Sequence, residues 1–204
     1  LASELSISRS GITRIQSNPL LSLYGRGVIV GVIDTGIDYC HPAFKFSGNT
    51  TRILSIWDQT IQTEKPPEGF TFGSEYNREI INFALESGDP LSIVPTNDEN
   101  GHGTAIASII AGGPDASQSF SGVVPEAQLI VVKLKEAKQN LKKIFCVNED
   151  ALCYQETDII LGIRYVFSFA RRLGRPLVIC LAIISSMTGH EALGATSSYI
   201  NNLC

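Results

Sequence analysis

The sequence lacks the features that direct a chain into a membrane or onto nucleic acid. None of its apolar runs reaches the length of about 18 residues that suggests a membrane span, and no basic and apolar signal pattern opens the chain. Positive charge is not in excess, since the net charge is −4 at pH 7. We therefore predict no membrane span and no nucleic-acid partner.

The cysteines and lysines exclude two further classes of protein. The five cysteines are odd in number and lack metal-ligand spacing, so we expect buried free thiols rather than a disulfide framework. The basic tract from Lys133 to Lys143 is interrupted by Glu136 and contains no aromatic residue, so we expect an exposed loop and not a binding patch. The cysteines are Cys40, Cys146, Cys153, Cys180 and Cys204.

The sequence does contain an alternation of short β-branched runs with longer helical patterns, which is typical of an α/β domain. Its 204 residues, 44% of them hydrophobic, suffice for one domain with a substantial core. Residues 28–33 form a continuous β-branched run, as expected for a strand of a parallel sheet that is covered on both faces. The other predicted elements are strands at 129–133 and 177–183 and helices at 104–111 and 157–173.

Two segments differ from this pattern and are predicted to be surface insertions. The first, residues 45–96, is rich in proline, glycine and polar residues, and the second covers residues 135–156. Within the first segment the pattern indicates a strand at 52–57 and a helix at 75–86.

Two residues carry the chemical signal of the sequence. Asp34 follows an apolar strand in an Asp-Thr-Gly turn, at the strand end where open α/β sheets have their active sites. His102 stands between Gly101 and Gly103 at the start of an apolar helix, where glycine allows a close backbone approach. Each residue alone has an ordinary structural explanation as a cap or a hydrogen-bonded helix start. Together, in the order Asp then His, they match the order of subtilisin-type triads.

The chain resembles the subtilisin-like serine peptidases from about Ser10 onward. This resemblance implies a three-layer α/β fold with a central parallel sheet flanked by helices. The matching motifs are Asp-Thr-Gly-Ile-Asp at 34–38 with His41-Pro42 after it, Gly-His-Gly-Thr at 101–104 and Gly-Val-Val-Pro at 122–125. Residues 51–59 and 98–100 look more narrowly similar to clostridial germination-type peptidases, which act on a cortex-lytic zymogen.

The resemblance also implies roles for the two residues. His102 would take the proton from a serine hydroxyl as it attacks a peptide carbonyl, and Asp34 would hold the imidazole tautomer and stabilise the imidazolium. The serine of such triads follows the histidine by roughly 150 residues, so we expect it beyond residue 204 and the fold to be incomplete here. We reject the Gly-Ala-Thr-Ser-Ser stretch at 194–198 as the nucleophile, because it lies too near His102 and continues a helical pattern. The chain alone should therefore be inert.

The chain departs from the family pattern at two places. The strand that normally continues into Ser-x-Gly and pairs with the substrate backbone continues here into Ala182, Ile183 and Ile184, our candidate substrate-binding residues. Ile184 in place of glycine would narrow the pocket, which implies altered specificity or lost activity. Ala43 stands where many relatives have a calcium-binding Asp, so we predict no cofactor and expect no structural calcium ion there.

Metal sites and a dinucleotide site are the alternatives to this interpretation. Asp34, Asp38 and His41 are metal-ligand types close together, but the triad already accounts for Asp34 and a structural role suits His41 better. The polar cluster at 97–100 could bind a cation, although turn formation is the simpler explanation. A dinucleotide site fails because Gly25 and Gly27 precede the first strand instead of following it.

We therefore predict a serine endopeptidase that acts on a protein or peptide, extracellular or spore-associated as the resemblance implies. The alternative is a catalytically inactive pseudopeptidase that binds or regulates a partner protein. Asp34 and His102 favour the enzyme, whereas the stretch from Ala182 to Ile184 favours the alternative. An incomplete fold would also expose sheet edge or apolar surface, which favours self-association.

Overall fold

The computed structural model describes residues 2–63, 65–115, 117, 120–183 and 194–203. Short 3₁₀ turns lie at Pro42–Phe44 and Pro90–Ser92. The strands are β1 (Ile29–Asp34), β2 (Ile53–Asp58), β3 (Ser74–Asn77), β4 (Gln128–Lys133) and β5 (Leu177–Cys180). The helices are α1 (Ala2–Arg9), α2 (Ile12–Gln16), α3 (Arg78–Glu86), α4 (His102–Ala111), α5 (Gln139–Ile144), α6 (Glu156–Leu173) and α7 (Ala195–Leu203).

The strands form one sheet in the order β3-β2-β4-β1-β5. Neighbours run parallel except β3, which pairs antiparallel with β2 at one edge. Strand β1 lies between β4 and β5, and its last residue, Asp34, is in register with Lys133 of β4. The α/β prediction is thus confirmed, with an antiparallel edge strand added to the parallel sheet.

Helices cover both faces of the sheet, which makes three layers. Alternate residues of β1 point to opposite faces, so Val30 and Val32 lie in the core that includes α3 and α4, whereas Ile29 and Ile33 lie in the core under α6. Helix α6 lies so close to β1 that a Cβ on Gly31 would be 2.3 Å from Val166 Cγ1. Every residue of β1 is buried, as expected for a strand covered on both faces.

Several element boundaries differ from their predicted positions. Helix α4 begins at His102, two residues before the predicted start, so the histidine itself occupies the first turn. Strand β5 ends at Cys180, and residues 181–183 are not part of it. The segment predicted as one helix from 75 to 86 is divided into β3 and α3, with the Asn77 side chain accepting a hydrogen bond from Ile80 N–H between them.

The segment at 45–96 is only partly a surface insertion. It contributes β2, which lies inside the sheet between β3 and β4, and Trp57 of β2 is fully buried. The hydroxyl of Tyr165 on α6 donates to Glu75 Oε1 at 2.6 Å and lies 2.8 Å from Ser55 Oγ. The prediction that this segment only decorates the surface is therefore wrong for β2 and β3, since they extend the sheet.

Arg52 precedes β2 and is 2% exposed. Its guanidinium donates to four backbone carbonyls, one in the turn at Pro42–Phe44, one at the end of α4 and two in the connection between α4 and β4, and burial lowers its pKa from the ordinary value. No carboxylate bonds to Arg52 within the described residues. The accepting oxygens are Pro125 O at 2.7 Å, Ala127 O at 3.1 Å, Ala43 O and Ala111 O.

The basic tract is not the uniformly exposed loop that the sequence indicates. Lys142 on α5 is 1% exposed, because its amine donates to the Glu136 carboxylate and to Glu149 O. The Lys135 amine forms an ion pair with the buried Asp158 of α6. Both lysines find oxygen partners within the protein, and a charge count along the sequence does not reveal this.

The four described cysteines are free, as predicted, but they are not all buried. Cys146 is exposed, and Cys40, Cys153 and Cys180 are partly exposed. Cys204 lies outside the described residues. Within the described chain, no helix is both long enough and apolar enough to cross a membrane.

Candidate active site

Asp34 is the last residue of β1 and is only 1% exposed. Its Oδ1 accepts a hydrogen bond of 2.7 Å from the N–H of Thr35. No described residue bonds to its Oδ2, which is also buried. The strand therefore delivers a carboxylate to the carboxyl edge of the sheet, beneath the first turn of α4.

His102 completes a pair with Asp34. Its Nδ1 lies 2.7 Å from Asp34 Oδ1, so the structure brings together the two residues that the sequence singles out. A buried carboxylate facing Nδ1 favours the tautomer with the proton on that nitrogen, which leaves Nε2 as a proton acceptor. The side chain is 48% exposed, and no described residue bonds to Nε2. The arrangement can therefore accept a proton from a group that approaches from solvent.

Glycines allow the close approach behind this pair. A Cβ on Gly103 would lie 2.3 Å from Gly36 O and 3.2 Å from Asp34 Cβ, so any side chain there would force α4 away from β1. Gly101 precedes α4 with a φ of 81°, a left-handed conformation that favours glycine. Both glycines flank His102 and set where its backbone can lie.

Asp34 affects the ionisation of two neighbours. Burial, together with the Asp34 charge, raises the pKa of the Cys180 thiol on the adjacent strand. Burial and the same carboxylate raise the pKa of Tyr154 to about 12. Both groups are therefore protonated at neutral pH, and neither is an activated nucleophile.

The polar cluster at 97–100 is where the sequence interpretation missed a residue. Asp98 accepts hydrogen bonds from residues on both sides of the Asp34–His102 pair. Its spacing offered a signal, since Asp98 lies four residues before His102 and six before Thr104 across a glycine turn. The pattern at 97–100 indicates turn formation, and only the narrower resemblance to clostridial peptidases links residues 98–100 with the His102 motif.

The residues of the metal alternative are occupied by local hydrogen bonds. Asp38 Oδ1 accepts from Cys40 N–H at 3.0 Å, and His41 Nδ1 accepts from Ala43 N–H at 3.1 Å. Within the described residues, no group of three or more His, Cys, Asp or Glu side chains could hold a metal ion.

The predicted substrate-binding residues are only partly described. Ala182 and Ile183 follow β5 and are half-buried, and Ile183 packs against the core under α6. Ile184 lies outside the described residues, so its predicted effect on the pocket stays a prediction. Residues 195–198 begin α7, where Thr196 bonds to Glu156 of α6.

Comparison with known proteins agrees with this geometry. The model of the subtilase family matches residues 25–149. The PII-type proteinase of Lacticaseibacillus paracasei is 35% identical over 113 residues, and the C5a peptidase of Streptococcus pyogenes serotype M6 is 29% identical over 116 residues. Each match covers 54% of this chain but only 6% and 9% of the respective relative, so the chain spans a small part of their length.

Solved structures show the same fold. The CspB protease of Clostridium perfringens is similar over 97% of this chain and 37% of its own, with a TM-score of 0.78 and 30% sequence identity. Sphericase is similar over 95% of this chain and 48% of its own, with a TM-score of 0.56 and 23% identity. The second likeness supports the fold alone.

Proposed function

Because this chain belongs to the subtilase family, we propose that Asp34 and His102 are two members of a Ser–His–Asp triad that hydrolyses peptide bonds. The observation that carries the proposal is the 2.7 Å contact between His102 Nδ1 and Asp34 Oδ1, with the rest of the imidazole open to solvent. A solvated surface pair would not need a fully buried carboxylate, and burying one costs free energy.

In this function the imidazole moves a proton in both directions. A serine oxygen attacks the substrate carbonyl while His102 Nε2 takes the hydroxyl proton, and the imidazolium then donates that proton to the leaving amine. Water then attacks the acyl-enzyme while His102 Nε2 takes a proton from it, and the imidazolium returns that proton to the serine oxygen as the acid product leaves. Asp34 stays ionised throughout, and it stabilises the imidazolium through the Nδ1–H hydrogen bond.

We assign the serine to sequence beyond residue 204, where the chain order of the family puts it. The stretch at 194–198 is a poor substitute, because residues 195–198 form the beginning of α7 and Thr196 is bonded to Glu156 of α6. On this proposal the oxyanion-hole donors also come from sequence beyond residue 204, and residues 1–204 alone do not hydrolyse peptides.

The substrate is a protein or peptide, and the protein acts outside the cell or on a spore. These assignments rest on the family and on the likeness to a clostridial protease, at 30% identity, and not on a pocket in this chain. We propose that the chain uses no cofactor.

A pseudopeptidase is the second candidate, and it is favoured by the residues after β5. Ala182, Ile183 and Ile184 stand where the family has Ser-x-Gly, so an isoleucine occupies the position that is usually glycine. In that case the same surface binds a partner protein without cleaving it.

The experiment that separates the two uses the full-length protein. For an enzyme, a fluorophosphonate adds to one serine, as intact mass shows, and casein is cleaved. Asp34→Asn or His102→Ala then lowers kcat/KM by about 10⁴-fold. The control is Glu99→Gln, which removes an exposed carboxylate three residues from His102 and should leave activity unchanged. An unlabelled, inactive full-length protein would instead support the pseudopeptidase.

A further inference from the structure

We propose that Asp98 is a positioning residue that holds His102 against Asp34 by tying the end of β1 to the first turn of α4. This inference rests on the proposed function for its catalytic meaning, although its structural part can be measured without any activity. It assigns a specific task to a residue whose sequence context indicates only a polar turn.

Each carboxylate oxygen of Asp98 accepts two hydrogen bonds. Oδ1 accepts from the Thr35 hydroxyl at 2.7 Å and from Gly101 N–H at 3.0 Å. Oδ2 accepts from the N–H of Thr104 at 2.8 Å and from its hydroxyl at 2.7 Å. One carboxylate therefore receives four donors from three residues.

These donors surround the two triad members. Thr35 follows Asp34 directly, whereas Gly101 and Thr104 stand on either side of His102 along the chain. The Thr35 hydroxyl also accepts from Gly103 N–H at 2.8 Å, and the Thr104 hydroxyl accepts from Asp38 N–H at 2.9 Å. Asp98 thus joins the backbone on both sides of the 2.7 Å contact between His102 and Asp34.

The loop that carries Asp98 is itself fixed to the sheet. The Lys133 amine at the end of β4 donates to Asn97 O at 2.7 Å, and Thr96 donates to the buried Asp58 of β2 at 2.5 Å. Since Lys133 is the register partner of Asp34, the loop is anchored on the strand next to the one that ends in Asp34.

Charge is what allows Asp98 to accept four donors. Although burial acts to raise it, the pKa of Asp98 is lowered by the hydrogen bonds from Thr104, Thr35 and Gly101. The ionised carboxylate is an acceptor at both oxygens, whereas an asparagine would direct an NH₂ group at one pair of donors. Asparagine is therefore a variant of nearly the same size that breaks the two hydrogen bonds at one of the two side-chain oxygens.

The test compares Asp98→Asn with Glu99→Gln, which removes a neighbouring exposed carboxylate. In the full-length protein with ¹⁵N-labelled histidine, NMR follows the downfield Nδ1 proton of His102 that the Asp34 hydrogen bond protects from exchange. We expect Asp98→Asn to broaden or shift this resonance. In the active enzyme, kcat should fall about 10- to 100-fold, while KM changes by less than about threefold. Glu99→Gln should match the wild type in both measurements.

Thr35 supplies a second pair of variants in case Asp98→Asn does not fold. Thr35→Val removes the hydroxyl that links Asp98 to Gly103, whereas Thr35→Ser retains it. We expect the valine variant to broaden or shift the His102 resonance in the same way and the serine variant to leave it unchanged. An Asp98→Asn protein whose resonance matches that of Glu99→Gln, or a Thr35→Val protein with an unchanged resonance, would overturn the proposal.

The two proposals can fail separately. If Asp34→Asn leaves peptide hydrolysis intact, the proposed triad is wrong, yet the His102 resonance still reports whether Asp98 positions the imidazole. If the triad variants behave as expected and the His102 resonance is unchanged in Asp98→Asn, only the positioning role of Asp98 is contradicted.

Discussion

At Gly103, the absence of a side chain sets the position of the neighbouring His102. The backbone there meets the Gly36 carbonyl so closely that even a methyl group has no room, since a Cβ would lie 2.3 Å from that oxygen. Because His102 is the preceding residue, any displacement of this turn moves the imidazole relative to Asp34.

Gly103→Ala should therefore weaken both the fold and the pair. We expect the free energy of unfolding to fall by about 1–3 kcal/mol, because backbone and not a flexible side chain must move. Chemical denaturation followed by circular dichroism measures this. The matched control is Gly88→Ala, an exposed site with nothing within 4 Å of the added Cβ. Equal stability of the two variants would contradict the steric explanation.

The pairing of Asp34 with His102 could be predicted from the sequence better than the contacts that support it. Asp34 and His102 are signalled by a strand end and a glycine-flanked helix start, which are local patterns. The bond from Thr35 to Asp98 depends on how β1 and α4 come together, and the burial of Lys142 depends on Glu136 and Glu149 folding around it. The bonds from Gly101 and Thr104 to Asp98 are local, whereas a contact such as that with Thr35 is made by tertiary structure and no pattern along the chain shows it.

Connections between elements converge on Arg52. Its guanidinium bonds to carbonyls that end α4, precede β4 and lie in the turn around Ala43. A single buried side chain therefore donates to backbone carbonyls at the ends of several elements at once.

Arg52→Met should leave three of these carbonyls, Pro125 O, Ala127 O and Ala111 O, without the donor that they now have, whereas Ala43 O also accepts from Gly113 N–H. Each buried acceptor that loses its donor costs about 1–3 kcal/mol, so we expect at least about 3 kcal/mol of destabilisation. Urea unfolding measures the effect. Arg26→Met is the control, since Arg26 forms an ion pair with Glu126 while its side chain is 86% exposed, and it should change stability little. A loss at Arg52 no greater than that at Arg26 would show that the carbonyls find other donors.

Element prediction succeeded where one chain segment determines its own structure. The apolar run of β1 and the periodic pattern of α6 were located within one or two residues. The division between β3 and α3 was missed, because Ser74–Asn77 becomes a strand only by pairing with β2. Pairing with a neighbouring strand is a tertiary contact that overrides local propensity, and Asn77 caps the helix that follows.

Over the whole molecule, four tyrosines make stability depend on alkaline pH. Burial raises the pKa of Tyr39, Tyr76, Tyr154 and Tyr165 above the ordinary value, to about 12 for Tyr154. The Glu75 carboxylate adds to the effect at Tyr165, and Asp34 adds to it at Tyr154. The folded protein therefore holds tyrosine protons that the unfolded chain releases at lower pH.

The sign of the effect follows from this difference. The stabilisation is complete below about pH 10, where unfolded tyrosines keep their protons, and it is lost as pH rises from about 10 through the folded pKa values. Urea midpoints measured from pH 8 to 11.5 should stay level and then fall. Tyr154→Phe should make the fall less steep. A midpoint that does not change across this range would contradict the prediction.

The position of β1 inside the sheet affects how the protein is made. Ile29 pairs with Gln128 and with Leu177, so its two neighbouring strands are synthesised roughly 100 and 150 residues later. At a ribosomal rate of about 5–20 residues per second, the apolar strand waits on the order of 5–20 s for its first partner. During that interval the segment that ends in Asp34 is available to chaperones, and slower translation would prolong its exposure.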